Sequence, residues 1–302
     1  MYRTLTIARY TFREAISQPI YALLMSLGAA IVIIFGLLPF FTLGEDTKMY
    51  KSVTLDVILL LVLMVTLFAT SRSIYEEIED RTMLTLMSKP VRRWEVMVGK
   101  YLGIVLSAGL GVFLLGGLLV LGVWMRVPGD YYLNSASLDD IIRNHIHDYR
   151  WSHILGLFPQ LILTWLQVSV LAAVGVALST RFSLVVNLPA VILLYFAGNL
   201  TRFIFPLDAG PIADKSALAK GFAWLVSLVI PYLETFDLKE WTVLSAIKLP
   251  NATTPVENGA IELGRLWWDV GIAALYAVSY ATFAMCAGMW SFQTRELGGG
   301  EG

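Results

Sequence analysis

Apolar residues fall into long unbroken blocks separated by short charged stretches, not into the one-sided stripes of soluble helices. Blocks at residues 20 to 41, 53 to 74, 100 to 124, 154 to 179, 183 to 206 and 267 to 291 each approach the twenty or so residues a helix needs to cross hydrocarbon. Only helices or closed barrels satisfy every backbone group in lipid, and runs such as Ile58 to Phe68 lack the period-two alternation of barrel strands. The pattern predicts an all-α, polytopic membrane protein with about six transmembrane helices. Ahead of the first block, residues 2 to 17 set Tyr2, Leu5, Phe12 and Ile16 on one helical face, with Arg3, Arg9, Arg13 and Glu14 largely elsewhere. That segment reads as an interfacial helix or as a short basic anchor, on the cytoplasmic surface in either case.

Composition supports lipid as the solvent. Of 302 residues, 57% are hydrophobic and 15% charged, against about a quarter charged in a soluble domain. The spans occupy most of the chain, so residues 1 to 302 read as one membrane domain. The first apolar block begins near Pro19 and outruns a signal-peptide core, so it is expected to stay as an anchor. The formal charge of −1 supplies no basic field and argues against a nucleic-acid partner. The single cysteine, Cys286, excludes an internal disulfide framework.

Charge also sets the orientation. With six spans, the inner segments hold eleven Lys and Arg residues and the short outer loops hold five, which places both termini in the cytoplasm. The remaining six fall in the stretch from Arg202 to Arg265, long enough to translocate regardless of its charge. Trp124, Trp151, Trp267, Trp268 and Trp290 stand at the proposed span ends, where an amphipathic ring prefers the headgroup level. Between spans five and six, about residues 207 to 266, the apolar run Phe222 to Tyr232 is too short to cross, and Pro206, Pro211, Pro231, Pro250 and Pro255 break any long helix. Short external or re-entrant helices are expected there.

The loop after the second span, about residues 75 to 98, carries the most information. Glu76, Glu77 and Glu79 give a first helix an acidic first turn, as its dipole prefers. Ser88 suits the cap of a second helix and Pro90 its start, and that helix runs through Val96 and Val98 into the third span. The result is a charged helix-turn-helix on the cytoplasmic side. The other reading is a solvated loop with positive-inside arginines.

The order of glutamates, Thr82, Ser88, Pro90, Val91, Arg93, Gly99 and Lys100 resembles the intracellular loop of type-2 ATP-binding-cassette (ABC) exporter permeases. The six-span layout, the N-terminal helix and the large last external region extend the likeness along the chain. Arg81 departs from it, standing where that family commonly has glycine. The resemblance implies a permease subunit that couples ATP hydrolysis on a separate ATPase subunit to translocation. Glu76, Glu77, Glu79, Arg81, Thr82, Ser88, Pro90 and Arg93 are the ATPase-coupling residues it implies. It also implies a second permease copy or paralogue as partner, and a plasma-membrane location. No phosphate-binding loop accompanies Gly99-Lys100, since Trp94 stands where the first Walker glycine belongs. ATP is therefore expected on the partner, and no cofactor and no enzyme activity are expected on this chain.

Several weaker patterns remain. Gly99, Gly103, Ser107 and Gly111 form a smooth stripe every fourth residue, read as intrachain packing ahead of a dimer or moving interface. Gln160, Thr164 and Gln167 share one face of the fourth span, and Asn187 and Asn199 lie in the fifth; they are read as interhelical hydrogen bonders ahead of a translocation path. His145, His147, Asp148 and His153 match no zinc spacing and read as a solvated or interfacial segment. The alternative functions are an intramembrane enzyme, which requires paired catalytic groups at membrane depth, and a secondary transporter, for which Pro189 is one hint of a broken helix.

Overall fold

The computed structural model describes residues 2–38, 46–74, 92–134, 150–204, 230–243, 247–248 and 261–293. Their architecture is helical, with one two-residue parallel pairing, Ile247–Lys248 against Ile261–Glu262, as the exception among them. The principal helices are α1 (Tyr2–Ser17), α2 (Pro19–Leu37), α3 (Asp46–Ser73), α4 (Arg93–Asn134), α5 (Leu157–Ser179) and α6 (Leu184–Ile204). A 3-10 turn (Leu233–Phe236), the short α7 (Lys239–Thr242) and the long α8 (Leu263–Gln293) follow. Five helices among the described residues are long and apolar enough to cross a membrane, and the apolar stretch Leu184–Leu200 of α6 adds a shorter one.

The expected blocks are therefore helices, with shifted limits. The first ends at Leu37. The third begins at Arg93, in an element of 42 residues that carries residues 93 to 98 unbroken into the span. At ~1.5 Å per residue it is about 63 Å long, roughly twice the hydrocarbon thickness, and so must extend beyond the bilayer.

Chain direction between elements is set locally. Gln18 is extended (φ −67°, ψ 133°) and Pro19 opens α2, its missing N–H being one the first turn does not need. The α5–α6 connection is a tight reversal, with Arg181 and Phe182 both donating their backbone N–H to the Leu178 carbonyl.

α5 is the axis of the bundle, with α3, α4, α6 and α8 packed around it. Between lipid-facing helices apolar surface gives no net drive, so close approach of small residues does the packing. α8 accordingly buries Ala273, Ala277, Ala281, Ala284 and Gly288 and exposes Trp268, Leu275, Val278, Phe283 and Trp290. α2 buries only Tyr21, Met25, Gly28 and Val32, one residue per turn. Cys286 is exposed, lining an apolar groove between α4 and α8.

In the segment between α6 and α8, the 3-10 turn and α7 are the described counterparts of the expected short helices. Leu233 and Phe236 are fully buried, and the Phe236 ring lies 5.9 Å from that of Tyr276 on α8. Residues 222 to 229 of the apolar run lie outside the described residues.

Candidate functional site

Of the loop residues, Glu76, Glu77, Glu79, Arg81, Thr82, Ser88 and Pro90 lie outside the described residues. The structure describes the point where the loop enters the membrane domain. The Arg92 backbone N–H donates to the Glu95 carboxylate at 3.0 Å, which satisfies an otherwise orphaned donor at the start of α4. Arg93 turns inward: Nη1 donates to the carbonyls of Phe292 (2.9 Å) and Gln293 (3.3 Å), and the guanidinium lies over the Phe292 ring at 5.4 Å. Sequence reasoning found Arg93 but not its partners, which are about two hundred residues away along the chain.

The glycine stripe of α4 is the seat of α1. A Cβ at Gly103 would lie 2.6 Å from the Ala8 carbonyl oxygen and 2.7 Å from Thr11 Cβ, and one at Gly99 would meet Ile7 at 2.8 Å. Higher up the stripe, Tyr21 donates to the Ser107 carbonyl, and a Cβ at Gly111 would meet Met25 of α2. The stripe is thus filled from within the chain. α1 answers it with Thr4, Ala8, Thr11 and Ala15, a buried small-residue face distinct from its apolar one. α1 therefore has three sides: small residues on α4, Leu5, Phe12 and Ile16 beside them, and exposed Arg9 and Arg13 beyond.

The polar span residues are dispersed in role. Gln160 is buried and bridges two backbone groups, its Nε2 donating to the Phe236 carbonyl (3.2 Å) and its Oε1 accepting from the Leu238 N–H (3.1 Å). It therefore pins the 3-10 turn and α7 to α5. Thr164 donates to the Gln160 carbonyl and Asn199 to that of Tyr195, each within its own helix. Gln167 is buried on the same helix as Gln160. Asn187, fully buried, donates from α6 to the Gly175 carbonyl of α5 at 3.0 Å, while its Oδ1 has no hydrogen-bond partner. A Cβ at Gly175 would approach Thr70 of α3 to 2.7 Å, so three helices meet there around polar groups.

The opposite end of the bundle is fastened by cations. Arg126 of α4 donates to the carbonyls of Phe35 (2.8 Å), Gly36 (3.4 Å) and Leu38 (2.7 Å), the acceptors that the last turn of α2 leaves unfilled. It also pairs with Asp46 at 3.4 Å. Arg150 lies 4.8 Å over the Trp124 ring, which packs edge-on against Trp151. The histidine expectation needs correcting at one position. His153 is not solvated but buried, with Nδ1 3.0 Å from the ammonium of the fully buried Lys51. A lysine at the start of α3 needed an acceptor once packing removed its water, and the segment just before α5 supplied one. His145, His147 and Asp148 lie outside the described residues. Among the described residues no group of His, Cys, Asp and Glu is arranged to hold a metal ion.

One end of the bundle thus holds the start of a long helix with α1 clamped on its first turns and α8 fastened to Arg93. A family model described as "ABC-2 family transporter protein" matches residues 38–233, about two thirds of the chain. The chain belongs to the ABC-2 transporter family. It is accordingly a multi-pass membrane permease of the ABC transporter class. The matched range runs from the residue after α2 through α3, the loop, α4, α5 and α6 to the start of the 3-10 turn, leaving α1, α2, α7 and α8 outside it. No curated protein gives a match to the sequence.

Proposed function

We propose that this permease is the membrane-spanning subunit of an ATP-driven exporter, paired with a second permease copy or paralogue and with separate ATPase subunits. In this reading both termini are cytoplasmic, the membrane is the plasma membrane, and residues 75 to 98 form the handle that the ATPase grips. The observation that carries it is continuity. Arg93 to Val98, in the described part of that handle, are the first turns of the continuous helix α4, so a push on them is delivered along it. α1, locked on Gly99 and Gly103, stiffens the first turns of that helix. ATP-driven closure of the partners then moves α4 and α1 together and shifts the membrane domain between inward and outward states.

Co-purification with a candidate ABC ATPase subunit is the test. Reversing Glu76, Glu77 and Glu79 to lysine together with Pro90→Ala should abolish association while leaving insertion and expression intact. Undiminished association would refute the docking role. ATPase stimulation by a panel of lipids and small molecules then identifies the cargo class.

A further inference from the structure

The loop end of α4 is fastened to more than α1. Arg93 holds the carbonyls of Phe292 and Gln293 on the last turn of α8. From the other side, Arg181 at the end of α5 donates its Nε–H to Ser291 Oγ at 2.7 Å, and the Thr180 hydroxyl lies 3.4 Å from the same oxygen. One turn up α8, a Cβ at Gly288 would meet the Met97 methyl of α4 at 2.5 Å and Cβ of Ala177 of α5 at 2.7 Å. Phe292 and Met97 are buried between these contacts. Three helices that are remote in sequence thus converge on a single helical turn. Two arginines from different helices close it, bonding to groups that the end of α8 leaves available.

We infer that Arg93 and Arg181 clasp the last turn of α8 so that the loop ends of α4, α5 and α8 move as one body. A displacement imposed on the coupling loop then reaches α8, a span remote from the loop in sequence and outside the family match. Arg93 is a positioning residue in this account: it acts through α8 and not as a contact for the ATPase. Arginine suits the role because its planar fork reaches two carbonyls while its face stacks on Phe292, a combination that a lysine ammonium does not reproduce. The transmission half of this inference rests on the proposed coupling to an ATPase; the clasp does not.

The experiment follows amide exchange by mass spectrometry in the full chain, alone and with its ATPase, with and without a non-hydrolysable ATP analogue. In the chain alone, Arg93→Ala with Arg181→Ala should speed exchange about tenfold in residues 289–293 while the middle of α8 stays protected, and Arg93→Lys should give a smaller rise. In the complex, nucleotide should change exchange at the start of α4 and at the end of α8 in the wild type. In the double variant it should change exchange at α4 alone, with the ATPase still bound and transport per ATP reduced about tenfold. Unchanged exchange at 289–293 in the isolated double variant refutes the clasp, whatever the partner. A response of α8 that persists in the double variant, or loss of the ATPase on Arg93→Ala alone, refutes transmission through it. Failure of the wild type to bind an ATPase at all sinks the coupling reading and leaves the isolated-chain result to decide the clasp.

Discussion

Lys51 and His153 show how a single buried pair is held in this bundle. The Lys51 amine is shielded from solvent and lies 3.0 Å from Nδ1 of the buried His153, a ring nitrogen able to accept from it. Removing the acceptor leaves a buried amine without its partner, whereas removing the amine takes away the group that needs one. His153→Leu should therefore lower stability by about 3 kcal/mol, whereas Lys51→Met should be close to neutral or stabilising. Equilibrium unfolding in mixed micelles ranks the two, and the reverse order would show that the ammonium has a second anchor. Gln160 makes the same argument with neutral groups. Gln160→Leu leaves the Phe236 carbonyl and the Leu238 N–H unpaired, at about 1–3 kcal/mol each. Faster amide exchange across residues 233–243 with α5 unaffected is the expected result. Altered cargo preference with exchange unchanged would instead put Gln160 in the translocation path.

At the scale of elements, association in lipid depends on how closely backbones approach, and the seat of α1 on α4 is the tightest case. Gly103→Leu would drive a side chain into the backbone of Ala8 and Phe12, and helices crossing that closely have no slack to give. The cost should be about 1–3 kcal/mol, taken as displacement of α1 rather than loss of the bundle, since α4 keeps its contacts with α3 and α5. A cysteine at Thr11, buried in the wild type, should become reactive to a thiol reagent in the Gly103→Leu background of a Cys286→Ala chain. A thiol that stays protected would mean that α1 is held chiefly by something other than the stripe.

For the whole molecule, the asymmetry of the two ends is informative. One end gathers Arg9, Arg13, Arg72, Arg92, Arg93 and Arg181; the other gathers Lys51, Arg126 and Arg150, whose charges are largely absorbed by carbonyls, rings and a histidine. On the lysine and arginine bias we propose an orientation with the first end in the cytosol. In the Cys286→Ala chain, Arg92→Cys should react with a membrane-impermeant reagent only after the cells are opened. Labelling from outside intact cells would overturn both the orientation and the coupling role of the loop.

The positions of the spans were legible because a bilayer imposes one length and one polarity on every crossing, and that constraint is written locally in each apolar block. The small-residue stripe of α4 was legible for the same reason, as a periodic feature of one segment. What fills the stripe was not, because Thr4, Ala8, Thr11 and Ala15 form a face without strong apolarity, and small residues mark proximity without naming the neighbour. Nor does anything local in the sequence pair Lys51 with His153, Arg126 with the end of α2, or Arg93 with Phe292. Those partnerships join buried or terminal groups that lose water when the helices meet, and which acceptor each finds is settled by the packing of helices far apart in the chain. The sequence by itself determined the membrane-spanning helices and the family they serve; the tertiary structure decided which charges are spent inside the protein and which remain for a partner.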